Sequence, residues 1–133
     1  MRIRSYQDLE VWQKAMDLVE DCYRLTREFP DSEIYGLSSQ LQRSAVSIPA
    51  NIAEGRERGR TKEFLHHLSI PYGSLAELET HALIVRRLGY VNEENLRQFM
   101  DKAAEIGRML NGLRGSLEHK TRIAGSRPLA PDP

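Results

Sequence analysis

Apolar residues recur in alternating steps of three and four along most of this chain, and no other feature of it constrains the fold as tightly. One series is Leu96, Phe99, Ala103, Ile106, Leu110, Leu113 and Leu117; another is Phe64, Leu68, Pro71, Leu75, Leu78, Ala82 and Val85. Such spacing lines up every apolar side chain on one stripe of a 3.6-residue helix, whereas a strand, with its period of two, would scatter them over both faces. Leu9 to Phe29 carries two interleaved stripes. One is Leu9, Trp12, Met16, Val19 and Tyr23; the other is Val11, Ala15, Leu18, Cys22, Leu25 and Phe29. A fourth pattern runs through Leu37, Leu41, Ala45, Ile48 and Ile52.

Boundary signals divide these patterns into four helices. Asp8 is the expected N-cap of the first, which stops at Phe29-Pro30-Asp31 because proline cannot continue the hydrogen-bond ladder. The second is expected to end at Gly55, leaving Arg56 to Arg60 as a tight polar turn before Thr61 caps the third. Gly89 closes the third and Asn92 caps the fourth. Four long helices with short connections predict an all-α fold, an antiparallel up-down-up-down four-helix bundle. The bundle is expected over residues 1–119. From 120 to 133 the Pro, Gly, Ser and Arg content predicts a disordered tail.

Pro49 and Pro71 lie inside the second and third patterns. If the hairpin folds about Gly59, they fall at one level of the helix pair, as two matched kinks, with Ser47, Asn51 and Ser69 placed to bond the carbonyls the prolines leave free. The same folding sets Arg43 opposite Ser74 to Glu77 and predicts a buried or half-buried Arg43–Glu77 ion pair.

Composition narrows the functional classes. The chain has 133 residues, 40% of them hydrophobic and 29% charged, which suits one globular domain with a core of its own. The opening Met1-Arg2-Ile3-Arg4-Ser5-Tyr6 has no apolar run, and the longest stretch free of charged side chains, Phe64 to Ala76, holds two histidines, a proline and a glycine, so neither a signal peptide nor a membrane span is expected. Cys22, the lone cysteine, reads as a core thiol in a reducing, cytoplasmic compartment. Nineteen basic residues balance nineteen acidic ones, so no global field draws the molecule to a polyanion. Locally the charge is uneven: Asp17 to Glu33 sums to −4, Glu54 to Lys62 to +2 and Arg108 to Arg127 to +4. Arg56, Arg58, Arg60 and Lys62 at the hairpin tip, with Arg108, Arg114, Lys120 and Arg122 near the other end of the chain, are the candidate nucleic-acid-binding residues.

Catalytic signatures are sparse. Bundles that hold two metal ions use two Glu-x-x-His motifs; this chain has only Glu63-Phe64-Leu65-His66, so no metal site and no cofactor are expected. Gly55 to Gly59 lacks the Lys-Thr ending of a phosphate loop. Arg114 to His119 and Arg60 to His66 match loosely the Arg-x4-6-His spacing of HEPN-type RNA nucleases, in which histidine moves a proton and arginine steadies the phosphate. That nuclease is a third hypothesis; no enzymatic activity is the expected state.

Several blocks together resemble a known family: Gln40-Leu41-Gln42-Arg43-Ser44-Ala45, Ser47-Ile48-Pro49-Ala50-Asn51-Ile52-Ala53-Glu54-Gly55, Gly73-Ser74-Leu75-Ala76-Glu77-Leu78-Glu79 and Leu88-Gly89-Tyr90, with the opening Asp8 to Ala15. These are similar to the four-helix proteins of the 23S ribosomal RNA intervening sequences, over about residues 6–117. Within the blocks Arg43, Pro49, Asn51, Glu54, Gly55, Gly73 and Glu77 are the structural positions. The resemblance implies a short bundle that assembles into a homopentamer, with no enzymatic activity attached to it. Accessory proteins of diversity-generating retroelements, similar in fold, form pentameric barrels and bind nucleic acid and a reverse transcriptase, which makes RNA or a nucleoprotein the implied partner. The alternative is a pentameric protein adaptor without nucleic-acid binding. Ile70-Pro71-Tyr72 stands where alanine is commoner in the family, so a sharper bend is expected in the third helix. The second stripe of the first helix, with Trp12, Met16 and Tyr23, is the expected interface between copies, because one stripe suffices for the core.

Overall fold

A computed structural model of the chain describes residues 5–126. They form five helices: α1 Glu10–Thr26, α2 Leu37–Glu57, α3 Thr61–His67, α4 Ser69–Leu88 and α5 Glu93–Ser126, with short 3-10 turns at Tyr6–Asp8 and Asp31–Glu33. No strand occurs among the described residues, and none of their helices is long and apolar enough to cross a membrane. Because α3 and α4 follow one another directly, the chain has four helical arms, as the apolar periodicity requires.

The stripes meet as predicted. Leu18, Leu41, Ile48, Ile52, Leu78, Leu96, Ile106 and Leu110 are fully buried in one core, each such side chain contributing about 1.5–3 kcal/mol relative to exposure. Polar ties set the alignment of the arms. Ser44 and Ser47 of α2 meet Glu77 and Ser74 of α4, and Asn51 meets His67, so residue numbers fall along one helix as they rise along the other. Lys14 and Asp21 of α1 likewise meet Glu105 and Lys102 of α5.

Several local expectations change. Asp8 does not cap α1: it lies in the 3-10 turn, where its carboxylate accepts from the Ser5 amide, and Leu9 takes the cap position. Thr61 is the first residue of α3 rather than its cap, which is Arg60. Asn92 does cap α5, its side chain accepting from the Asn95 amide, and Gly89 ends α4 with φ +68°, in the left-handed region that favours glycine. Gly55 does not end α2. The helix runs on to Glu57, and Gly59, with φ +83°, makes the turn instead. The last helix extends to Ser126, past the expected boundary at 119, because Thr121, Arg122 and Ile123 are compatible with a helix and the first proline beyond them is Pro128. The rest of the expected tail, 127–133, lies outside the described residues.

The two prolines behave differently. α2 passes through Pro49 as one helix, whereas the third arm is interrupted at Leu68, three residues before Pro71. Proline at 71 has no N–H for the carbonyl of residue 67, and the Leu68 amide turns inward to reach both Phe64 and Leu65 carbonyls at 3.1 and 3.3 Å. The neighbouring polar side chains do not take up the freed carbonyls as expected. Asn51 donates to the Ser47 carbonyl and Ser69 to the His66 carbonyl.

Candidate binding surfaces

A partly buried polar ladder runs along the seam that α2 makes with α3 and α4. Ser47 Oγ lies 2.7 Å from Ser74 Oγ; Asn51 Nδ2 donates to both the carbonyl and the hydroxyl of Ser47, at 2.8 and 3.0 Å; its Oδ1 lies 3.3 Å from His67 Nε2. Glu54 Oε2 stands 3.7 Å from the same nitrogen. His67 is only 8% exposed, so these partners are what makes its burial tolerable. Gly55 belongs to this arrangement. A Cβ there would meet His67 Cδ2 and Phe64 Cδ1 at 3.1 Å, so α3 closes on α2 this tightly over a glycine. His67 gave no signal in the sequence, because a histidine at helical spacing bears no sign of which face it occupies.

The predicted Arg43–Glu77 pair is absent. Both side chains are exposed, no ion pair joins them, and Ser44, one position on, donates to Glu77 at 3.5 Å. Residues one apart on a helix are turned about 100° from each other, and 44 rather than 43 faces α4. Gly73 is exposed, and a Cβ on it would have no neighbour within 4 Å, so the packing of this chain does not demand glycine there.

The two basic clusters, distant in sequence, share one end of the molecule. Arg56, from the last turn of α2, Arg60, the cap of α3, and Lys120, from α5, line one pocket of about 450 Å³ whose apolar wall includes Leu9, Phe64, Leu113 and Leu117. None of these three cations has an ion-pair partner among the described residues. Arg58 is engaged by Glu54 at 3.2 Å, and Arg114 by Glu118 at 3.7 Å and Asn111 at 3.1 Å, with its guanidinium carbon 5.0 Å from the centre of the Tyr72 ring. The Tyr72 hydroxyl also donates to Asn111, and burial raises its pKa above the usual phenol range, with Arg114 opposing and Glu118 reinforcing. Lys62 and Arg122 are exposed. Arg108, also exposed, is twelve residues from Lys120, roughly 18 Å along the helix, and forms no part of the cluster.

On α1 the inner stripe is buried and the second is not. Met16 and Tyr23 are 43% and 46% exposed, while Trp12 is half-buried, its ring 5.3 Å edge-on from Tyr6. Ile34 and Tyr35, in the link between α1 and α2, are exposed as well, Ile34 lining one pocket with Tyr23 and Tyr35 being 97% exposed. Neither was foreseeable from the sequence, since residues in a short link carry no periodicity.

Both histidines of the Arg-x4-6-His spacings, His66 and His119, are exposed. Five positions along unbroken α5 set Arg114 and His119 about 140° apart, and Arg114 is turned to Tyr72. Arg60 lines the basic pocket; His66 does not. Cys22 is fully buried and burial pushes its thiol up to about 12, so it is no nucleophile. Glu63 and His66 are exposed, and no cluster of three or more His, Cys, Asp or Glu side chains able to hold a metal occurs among the described residues.

No curated protein matches the chain. A crystal structure of a protein of unknown function from the S23 ribosomal protein family of Bacteroides thetaiotaomicron VPI-5482 is similar in fold, with a TM-score of 0.70 at 22% identity, covering 78% of this chain and 97% of that one. The family described as 23S rRNA-intervening sequence protein matches residues 7–112, most of the helical body, including the α2 block with Pro49, Asn51 and Gly55 and the α4 block from Gly73 to Glu79. The chain belongs to the 23S rRNA-intervening sequence protein family.

Proposed function

We propose that this protein is a non-enzymatic cytoplasmic scaffold: an antiparallel up-down-up-down bundle that assembles with copies of itself, as a pentamer, and presents its basic end to RNA or a nucleoprotein. The observation that carries the reading is the convergence of Arg56, Arg60 and Lys120 on one pocket with no carboxylate among the described residues paired to them. Three unpaired cations in one place attract phosphates more strongly than the neutral whole would suggest. Assembly is supported by the outer stripe of α1, where Met16 and Tyr23 remain exposed although the core is complete without them.

Light scattering behind size exclusion tests both halves. The protein alone should elute at a multiple of 15.3 kDa. With a mixed cellular RNA pool it should gain mass at low salt and lose it at high salt. A salt-insensitive complex would refute the phosphate mechanism, and a monomer would refute the assembly. An oligomer indifferent to RNA would favour the protein adaptor, a second reading that the apolar wall of the basic pocket supports.

A further inference from the structure

The basic pocket is not shaped for phosphates alone. Its lining combines the three cations with Leu9, Phe64, Leu113 and Leu117, and its volume of about 450 Å³ lies within the range of sites that take a compact group. A phosphodiester strand could pair with the cations and leave the apolar lining without a partner. A nucleobase placed inside would bring ring nitrogens and carbonyl oxygens against leucines, with Thr61 and the Gly59 backbone as the main uncharged polar neighbours. Nor is there a stacking surface, because Phe64, the one ring that lines the pocket, is 6% exposed.

We propose that this pocket takes a large apolar side chain of a partner protein, presented on a segment whose flanking residues are acidic. The cations come from two sides, Arg56 and Arg60 from the end of α2 and the cap of α3 and Lys120 from α5, so carboxylates before and after the apolar anchor each find a counter-charge. Two of the nearby acids are already engaged, Glu54 by Arg58 and Glu118 by Arg114, which leaves exposed Glu57 as the acid beside Arg56. Arginine suits the role because its planar fork pairs two-pronged with a carboxylate. The proposal rests on reading the basic end as a binding face, and it names the chemistry of the partner there.

The test is a fluorescence-anisotropy array of labelled nonapeptides in which a central Leu, Phe, Met or Trp is flanked on both sides by Asp and Glu, with Ser-centred counterparts and a nine-nucleotide uridylate as controls. The expected result is that at least one apolar-centred peptide binds ten-fold or more tighter than its Ser counterpart. Leu113→Ser should erase that preference and leave uridylate binding unchanged, whereas Arg60→Gln should weaken both ligands. Leu113 is half-buried, so Leu113→Met, which keeps the apolar wall, is the folding control and should retain the preference. Equal binding of apolar-centred and Ser-centred peptides, or RNA binding without peptide binding, overturns the proposal and leaves the basic end as a phosphate site. Binding of neither ligand overturns both.

Discussion

Replacing Gly55 by alanine sets two effects of opposite sign against each other, and the geometry decides between them. In a helix interior alanine is better than glycine by about 1 kcal/mol. Against this, the new methyl would meet His67 Cδ2 and Phe64 Cδ1 at 3.1 Å and His67 Cβ at 3.2 Å. Ordinary contact needs a few tenths of an ångström more. Both rings belong to α3, one turn apart, so neither can yield alone and the short helix must lift as a unit. Lifting it stretches the 3.3 Å Asn51–His67 bond beyond useful length, a loss of about 1 kcal/mol, and overpacking strain of this kind adds roughly 1–3 kcal/mol. The expected balance is a net destabilisation of about 1–3 kcal/mol, which in a chain this size lowers Tm by roughly 3–12 °C. Urea titration followed by far-ultraviolet circular dichroism measures it. Gly73→Ala is the matched control, in a helix interior with no neighbour within 4 Å, and should stabilise by about 0.5–1 kcal/mol. If Gly55→Ala proves as stabilising as Gly73→Ala, the close approach of α3 to α2 is not what glycine serves there.

Three other outcomes are expected. Asn51→Ala should destabilise by about 2 kcal/mol in the same titration, because it strips partners from buried His67 and Ser47 together. Cys22 should resist a thiol reagent at pH 8 until the protein unfolds; its pKa is raised from 9.0 to about 12 by burial, so between those values the unfolded chain loses a proton the folded one keeps. Stability should therefore fall as pH rises through that window, by up to about 1.4 kcal/mol per unit relative to Cys22→Ala, and equal slopes would refute the assignment. Met16→Glu with Tyr23→Glu should leave helicity intact and dissociate the assembly in light scattering; an unchanged mass would place the interface elsewhere.

How legible these features were depends on range. Helix positions, core stripes and the Gly89 and Asn92 caps follow from spacing and local backbone chemistry, and the structure keeps them. Features set by which residue faces which across two helices did not follow. Gly55 looked like a helix stop because glycine at a stop and glycine under a crossing helix are the same letter. Arg43 looked like the partner of Glu77 because a hairpin argument gives the level of a residue but not its azimuth to within one position. The union of Arg56 and Arg60 with Lys120 is a tertiary fact: sixty residues separate them, and only the closure of α3 over Gly55 beside α5 brings them to one pocket.

That union also bears on the apparent conflict between a neutral chain and a phosphate-binding role. Leu9, before the start of α1, lines the basic pocket, whereas Asp31 follows the far end of that helix. The seventeen residues of α1 span roughly 26 Å, more than two Debye lengths of about 10 Å at 0.1 M salt. A ligand at the pocket thus senses the three cations and little of Glu28, Asp31 and Glu33, the acids beyond the far end of α1. Two single substitutions that change net charge by one in opposite directions separate these views. Arg60→Gln should weaken binding of a short uridylate several-fold and reduce the slope of log affinity against log salt by about one. Asp31→Asn, in an exposed residue at the other end, should change affinity by less than about two-fold at 0.1 M salt. Effects of equal size and opposite sign would mean that net charge governs the encounter, and the local cluster would lose its claim to be the site.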